Sequence, residues 1–128
     1  MRFLTSNSNL MMERSLEFLW RKQAAILDNI VNAETPGYRP KVVTFEEGLR
    51  QRLEAAQTGN TPVRSVRHVL ETETFSVEEQ QEATRMDDNG VNVTEQNVEM
   101  IRNAYQQQYV MRAIGDDLNR LRSAIRGQ

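Results

Sequence analysis

Apolar residues near the N-terminus recur every three or four positions over several helical turns. Alternating spacings of four and three place them along one face of an α-helix, and this pattern is typical of a helix that packs lengthwise against another helix. Ser8 or Asn9 can cap the start of the helix. The apolar seam, interrupted once by a glutamine, consists of Met12, Leu16, Leu19, Gln23, Ile26, Ile30 and Ala33.

A second and longer apolar seam runs through the C-terminal part of the chain. Thr94 is suited to cap this helix, and Val93 and Val98 have the spacing of a hydrophobic staple around that cap. At 1.5 Å per residue, the helix would be roughly 45 Å long. Its seam residues are Ile101, Ala104, Gln108, Met111, Ile114, Leu118, Leu121 and Ile125.

Two terminal helices with such seams pair most simply as an antiparallel hairpin. We therefore predict a mainly α protein, an elongated and coiled-coil-like antiparallel pair of long terminal helices with an irregular middle segment. Gln23 and Gln108 interrupt the two seams, and we expect them to lie in or near one layer, where they would fix the register. Phe18, Trp20 and Leu27 widen the N-terminal stripe, which indicates a second neighbour for that helix.

The middle of the chain is less regular. Residues 42–45 could form a short strand, and apolar residues on one helical face followed by Gly59 predict a short helix over about residues 45–58. Residues 63–77 carry several β-branched residues, which predicts one or two short strands or an extended segment. Residues 76–85 are polar and acidic and suit an exposed connection or a short exposed helix. The predicted organisation is an N-terminal helix (1–35), a turn, short helix and irregular middle segment (36–93), and a C-terminal helix (94–128).

Composition limits the size of any compact core. Of the 128 residues, 38% are hydrophobic and 6% aromatic, and the mean hydropathy is −0.66, which favours an elongated helical molecule. A net charge of −2 gives no electrostatic reason to expect nucleic acid or an anionic membrane surface as partner. No apolar run is long enough to span a bilayer, and no secretory signal is apparent, so composition alone predicts a cytoplasmic protein.

Candidate chemistry is sparse, and an enzyme is the least favoured class. The chain has no cysteine, a single histidine at His68 and no glycine-rich phosphate loop. The run from Asp87 to Gly90 invites a calcium-loop interpretation, but the regular oxygen ligands of such a loop do not follow it, so a turn is preferred. We expect no catalytic residue, no cofactor and no metal site.

The stretch from Asn29 to Tyr38 predicts an abrupt end to the N-terminal helix. Pro36 lacks a backbone donor and disfavours the α region at Thr35, so the helix should stop just before it. Pro36 and Gly37 suit the two central positions of a type II turn, because proline fixes the first φ and glycine tolerates the positive second φ. Such turns are common, so an ordinary helix stop and turn is the alternative to a specialised corner.

The run Asn-x-x-Asn-Ala-x-Thr-Pro-Gly-Tyr, at the end of an N-terminal heptad helix, resembles the signature of the bacterial flagellar rod and hook proteins. Within that family, the small size, the Phe45-x-x-x-Leu49 segment and a C-terminal helix opened by residues 89–93 look most like a proximal rod protein. The resemblance covers both ends of the chain well and the middle poorly. Its motif residues are Asn29, Asn32, Ala33, Thr35, Pro36, Gly37 and Tyr38.

The resemblance implies a structural subunit of the proximal rod of the flagellar basal body, which polymerises through its terminal helices into the axle that transmits torque. The implied partners are further copies of itself, other rod subunits, the proteins that join the rod to the membrane ring, and the flagellar type III export apparatus, with no nucleic acid and no direct membrane insertion. The implied location is the basal body in the periplasmic space, reached without a cleaved signal peptide. The alternatives are another rod protein of the same family, or a small cytosolic helical adaptor or export chaperone.

Overall fold

The computed structural model of the protein describes residues 6–44, 46–72, 76–79 and 90–127. The protein is mainly α, as predicted, and its long N- and C-terminal helices pack together. The elements, in chain order, are α1 (Asn7–Val31), β1 (Lys41–Thr44), α2 (Glu46–Gln57), α3 (Pro62–Thr72), β2 (Ser76–Glu79) and α4 (Val93–Arg126).

Both terminal helices begin earlier than their predicted caps. The backbone N–H of Asn9 donates to the Ser6 hydroxyl oxygen at 3.2 Å, so Ser6 caps α1 in place of Ser8 or Asn9. The Asn92 side-chain oxygen accepts from the backbone N–H groups of Thr94 at 3.1 Å and Glu95 at 3.4 Å. Asn92 therefore caps α4, and Thr94 is already within the helix.

The middle segment contains more helix than the sequence predicted. The short helix expected over residues 45–58 is present as α2, but most of the segment 63–77 is the helix α3 and not an extended chain. Pro62 occupies the first helical position, where its missing N–H is harmless. The apolar spacing then buries Val69 and Leu70 against the rest of the fold, and this packing overrides the β propensity of the branched residues.

The two short strands form an antiparallel pair. Lys41 lies opposite Glu79, and Thr44 lies opposite Ser76. The first strand was predicted one residue later than β1, and β2 shares only residues 76 and 77 with the segment expected to be extended. Most of the polar connection predicted over residues 76–85, and all but Gly90 of the expected turn at 87–90, lie outside the described residues.

The chain divides into two compact units, and α1 and α4 each contribute to both. Unit 1 comprises residues 1–17, 46–73 and 107–128, and unit 2 comprises residues 18–45 and 74–106. In unit 1, α2 packs against α3, and Leu49 and Leu70 form the buried core.

The first half of α1 runs parallel to α3 in unit 1. Asn7 Nδ2 donates to the backbone oxygen of Val63 at 3.0 Å, and two turns later Arg14 Nε donates to the backbone oxygen of Leu70 at 2.8 Å. Arg14 Nη2 also donates to the backbone oxygen of Glu71 at 2.7 Å. The guanidinium thereby satisfies two carbonyl groups of the last turn of α3, which have no partner within that helix.

Arg14→Lys should lower the free energy of unfolding of unit 1 by about 1 kcal/mol, because lysine keeps the charge but cannot donate from two fixed positions to two carbonyl groups. Urea unfolding and amide hydrogen exchange across α3 measure the effect. Arg122→Lys, an identical change at an exposed position of α4, is the matched control and should leave both readouts unchanged. Equal effects of the two substitutions would contradict a capping role for Arg14.

In unit 2, the second half of α1 lies antiparallel to the first half of α4. Leu19 is bonded to Asn103, and Lys22 forms an ion pair with Glu99 at 3.3 Å between Nζ and Oε2. Contacts further along α1 therefore reach residues earlier in α4, which is the antiparallel order predicted. The apolar core of the unit is formed by Phe18, Leu19, Ala25, Ile26, Val43 and Val91.

The seam predicted for α1 is turned inward, whereas most of the seam predicted for α4 is not. Every residue of the α1 seam is buried or half-buried. In α4, only Ile114 and Leu121 are half-buried, and the other predicted seam residues are exposed: Ile101, Ala104, Gln108, Met111, Leu118 and Ile125. These six residues therefore do not form a packing seam within the chain, and their role in assembly with another chain stays a prediction.

A more polar face of α4 is turned inward instead. It contains Gln96, Met100, Asn103, Gln107, Val110 and Ile114, again at spacings of three and four. Apolar periodicity missed this face because two of its amides are bonded to α1: Asn103 Nδ2 donates to the backbone oxygen of Leu19 at 3.0 Å, and Gln96 Oε1 accepts from Asn29. Asn103 is 1% exposed and is the buried polar residue of this seam, whereas Gln108 is exposed and Gln23 is half-buried.

Candidate functional site

The chain leaves α1 through a series of tight turns. The backbone N–H of Ala33 donates to Ile30 at 3.2 Å, and that of Thr35 donates to Asn32 at 3.0 Å. The expected turn at Pro36 and Gly37 is closed by a hydrogen bond from the Tyr38 N–H to the Thr35 oxygen at 3.2 Å. Gly37 has a φ of 71°, which residues with a side chain rarely adopt.

Asn29 holds the strand that follows this corner. Its Oδ1 accepts from the backbone N–H of Lys41 at 2.8 Å, and its Nδ2 donates to the Lys41 backbone oxygen at 2.9 Å. The amide side chain therefore pairs with β1 as a neighbouring strand would. Only an amide can do this, because it carries both a donor and an acceptor at the same end.

The remaining hydrogen-bonding capacity of Asn29 ties in two further elements. Nδ2 also donates to Gln96 Oε1 on α4 at 3.0 Å, and the Tyr38 hydroxyl donates to Asn29 Oδ1 at 3.2 Å. Asn29 is 1% exposed, so its amide group is shielded from water and depends on these partners for its hydrogen bonds. One buried side chain thus joins α1, the corner, β1 and α4 in unit 2.

A half-exposed group of polar side chains surrounds Asn29. Lys41 Nζ lies 2.7 Å from Asp28 Oδ2, and the Tyr38 hydroxyl lies 3.4 Å from the same carboxylate oxygen. Asn32 Nδ2 donates to the Asp28 backbone oxygen at 2.9 Å and to its Oδ1 at 3.1 Å. Thr35 completes the chain of bonds by donating its hydroxyl to Asn32 Oδ1 at 3.2 Å.

The Asp28 carboxylate is held in its ionised form. The hydrogen bond from the Lys41 ammonium lowers the pKa of Asp28 below its ordinary value of 3.8, while desolvation acts in the opposite direction. The positive charge of Lys41 and the hydrogen bond from Tyr38 add smaller decreases. The ion pair therefore helps to anchor the first residue of β1 to α1.

The effect on stability should appear at acid pH. Because the pKa of Asp28 is lower in the folded protein than in the unfolded chain, its contribution is present above about pH 4 and is lost as the pH falls through the folded value. Asp28→Asn should have a lower Tm than the wild type at pH 6.5, and this difference should shrink below pH 4. Thermal unfolding followed by circular dichroism measures both proteins. A difference in Tm that does not change between pH 6.5 and pH 3 would contradict this role.

The corner also fixes how the chain approaches α4. The backbone N–H of Gly90 donates to the Tyr38 backbone oxygen at 3.4 Å. Pro40 and Val91 are fully buried beside this contact, and Ala33 is buried at the inner side of the turn. We name the set Asn29, Asn32, Ala33, Thr35, Pro36, Gly37, Tyr38, Asp28, Lys41 and Gln96 the corner bracket.

Four of the seven motif residues, Asn29, Asn32, Thr35 and Tyr38, carry polar side chains, and the structure brings these side chains together. Asn29 is the central residue among them. Asn29 makes long-range contacts, whereas Asn32 bonds only locally to Asp28 and Thr35 among the contacts described. Sequence analysis missed Asp28, Lys41 and Gln96. Their contribution depends on where β1 and α4 lie in space, and no spacing along the chain indicates it.

The outer faces of the terminal helices carry unpartnered apolar side chains. On α4, Val98, Ile101, Tyr105 and Tyr109 recur at spacings of three and four and are between 50% and 77% exposed. We name these four residues the outer stripe. On α1, Trp20, Leu27 and Val31 are exposed at helical spacing. In proteins generally, a large exposed apolar patch marks an interaction surface.

Within the part of the chain that the structure describes, no group of three or more potential ligands is placed to hold a metal ion. None of the helices described there combines the length and the apolar character needed to cross a membrane. His68 is exposed on α3.

No model of a known protein family matches the sequence, and no curated protein is significantly similar to it.

Proposed function

We propose that this chain is a structural subunit of the proximal rod of the bacterial flagellar basal body, most like the rod protein FlgB. In this role it polymerises through its terminal helices and forms part of the axle that transmits torque. The observation that carries the proposal is the corner motif from Asn29 to Tyr38, which resembles the signature of the flagellar rod and hook proteins and which an adaptor or chaperone does not require. The exposed apolar faces on α1 and α4 support assembly.

The outer stripe supports assembly because its burial would be favourable only against another molecule. Transferring an exposed Ile or Tyr into an apolar contact contributes on the order of 1.5–3 kcal/mol. The inner face of the same helix is already occupied by contacts such as that between Asn103 and Leu19. A helix with a polar inner face and an apolar outer face suits a subunit whose stability increases on association.

The corner bracket supports a mechanical role. It joins α1, β1 and α4 through a buried amide and an ion pair, so the direction in which the chain leaves α1 is fixed. A subunit that transmits torque needs such rigid joints and no catalytic group. When two subunits contact each other through different faces, the interface is heterologous. Repeated heterologous contacts that do not close into a ring build a helical filament.

The partners follow from this role. The chain would contact further copies of itself, other rod subunits and the proteins that join the rod to the membrane ring, and it would pass through the flagellar type III export apparatus. The proposed location is the basal body in the periplasmic space. The chain could instead be another rod protein of the same family. Its partners would then be of the same kinds but arranged in a different order along the rod.

A small cytosolic helical adaptor or export chaperone is the second candidate, because exposed apolar helix faces also suit the binding of a client helix. Removing the gene tests the rod proposal, and the location of the chain in basal bodies or in the cytosol separates the two functions. Without a rod subunit, cells should lack hook and filament entirely, and a plasmid copy should restore swimming in soft agar. Cells that still assemble complete flagella without the gene would contradict the rod proposal.

A further inference from the structure

The exposed faces of the two terminal helices have the same spacing when they are read in opposite directions. On α1, spacings of four, three and four connect the exposed residues Trp20, Ala24, Leu27 and Val31. We name these four residues the α1 face. On α4, read toward its N-terminus, the same spacings connect the exposed residues Tyr105, Ile101, Val98 and Thr94. Two antiparallel helices can therefore bring these side chains together pair by pair.

Each face is accompanied by one exposed charge at the same distance. Glu13 lies seven residues before Trp20 on α1, and Arg112 lies seven residues after Tyr105 on α4. Among the residues that the structure describes, neither charged side chain forms an ion pair or a hydrogen bond, and both are exposed. The two faces thus have opposite and uncompensated charges at matching positions, which favours their association.

The charges also select the direction of such a contact. When the helices are antiparallel and their spacings are matched, Glu13 lies opposite Arg112. When the helices are parallel and their spacings are matched, Leu27 lies opposite Gln108 and Val31 lies opposite Arg112, so apolar side chains meet polar ones. The antiparallel order is also the one that α1 and α4 adopt within unit 2.

We propose that the α1 face of one copy packs antiparallel on the outer stripe of a second copy. Trp20 then lies against Tyr105 of the second copy, and Leu27 lies against its Val98. This inference rests on the proposed assembly role and names the faces that meet. Because the two faces differ, the contact is heterologous, and each copy keeps one face free for a further copy.

Engineered disulfides test the contact, because the chain contains no cysteine of its own. Full-length Leu27→Cys protein is mixed at millimolar concentration with full-length Val98→Cys protein, which carries a tag that changes its mass. A glutathione buffer lets disulfides form and break, and a non-reducing gel separates mixed dimers from like dimers. Each protein has a single cysteine, so every disulfide joins two copies.

Gln108→Cys is the matched control for the direction of the contact. In the antiparallel contact, Gln108 lies roughly 15 Å further along α4 than Val98, too far for a disulfide to Leu27→Cys. We expect the mixed dimer with Val98→Cys to be at least about tenfold more abundant than the mixed dimer with Gln108→Cys. Equal yields, a reversed preference, a majority of like dimers or no dimer at all would overturn the proposal.

Charge exchange tests the same register independently. In the two cysteine proteins, Glu13→Lys or Arg112→Glu should each lower the yield of the mixed dimer about threefold. The two substitutions together should restore it, because the ion pair forms with its charges exchanged. Arg64→Glu, the same charge change at an exposed position of α3, should leave the yield unchanged. A double variant that stays as weak as the single variants would overturn the register.

These measurements use purified protein, whereas the rod proposal is tested by the content of basal bodies. A chain that is present in basal bodies but does not form this disulfide would overturn the contact and leave the rod proposal intact. A chain that forms the disulfide but is absent from basal bodies would overturn only the rod proposal.

Discussion

Asn29→Ala should lower the free energy of unfolding of unit 2 by about 3 kcal/mol. The substitution removes four hydrogen bonds made by one buried amide, to the N–H and C=O of Lys41, to Gln96 and to Tyr38. The loss of a hydrogen-bond partner at a buried polar group costs about 1–3 kcal/mol, and both backbone groups of Lys41 lose their bond to Asn29. Urea unfolding monitored by circular dichroism gives the change.

Asn32→Ala is the matched control for this prediction. It makes the same chemical change three residues later, but Asn32 is only half-buried and its side chain bonds locally, to Asp28 and Thr35. We expect a loss below about 1 kcal/mol. If both substitutions have similar effects, the special place of Asn29 in the corner bracket is disproved. Comparable hydrogen exchange of β1 in the wild type and in Asn29→Ala would lead to the same conclusion.

Ile101→Asp combined with Tyr105→Asp should abolish incorporation into flagella while leaving the isolated subunit folded. Both side chains are more than half exposed, so the free energy of unfolding should change by less than about 0.5 kcal/mol. In an assembled rod, each new carboxylate would be buried without a partner, which is strongly unfavourable. We expect at least a hundredfold decrease in subunits recovered with basal bodies, and no swimming.

Val63→Asp provides the control for the outer stripe. Val63 is an exposed apolar residue in the first turn of α3, where an acidic residue is favourable to the helix dipole. This variant should assemble and swim as the wild type does. If the double variant assembles normally, the outer stripe is not an assembly surface. If the double variant is unfolded, the expectation that the isolated subunit stays folded is wrong.

The parts of the fold that the sequence predicted are those determined by local chemistry. Pro36 and Gly37 restrict the backbone wherever they occur, so the corner and the end of α1 could be predicted from their residues alone. The heptad spacing of α1 likewise places Leu19 and Ile26 in the buried core. The short helix α2 was predicted from its apolar face and the glycine after it.

The parts that were missed depend on tertiary contacts. The segment that forms α3 has enough β-branched residues to suggest a strand, and it becomes helical where Val69 and Leu70 can be buried. In α4, apolar spacing selected the face with Ile101, but the chain turns Asn103 inward because its amide bonds to α1. Hydrophobic periodicity cannot distinguish a surface buried within the chain from one left for a partner.

In the corner bracket, too, the features set by neighbouring residues could be predicted, and those set by residues distant in the sequence could not. The motif residues could be selected from the sequence, and the turn among them could be predicted. The dominant role of Asn29 could not be predicted, because its partners Lys41 and Gln96 belong to elements that follow later in the chain. An amide near a helix end is usually a cap or a surface residue, and only the fold shows that this one is buried.

Mass spectrometry of purified flagella tests the central claim most directly. Detergent-washed basal bodies and the soluble cytosolic fraction are prepared from the same cells, and the chain is quantified in each relative to a known rod protein and a known cytosolic protein. The account predicts that the chain is enriched with the rod protein in the basal bodies. Confinement of the chain to the cytosolic fraction would contradict the account and favour the adaptor or chaperone.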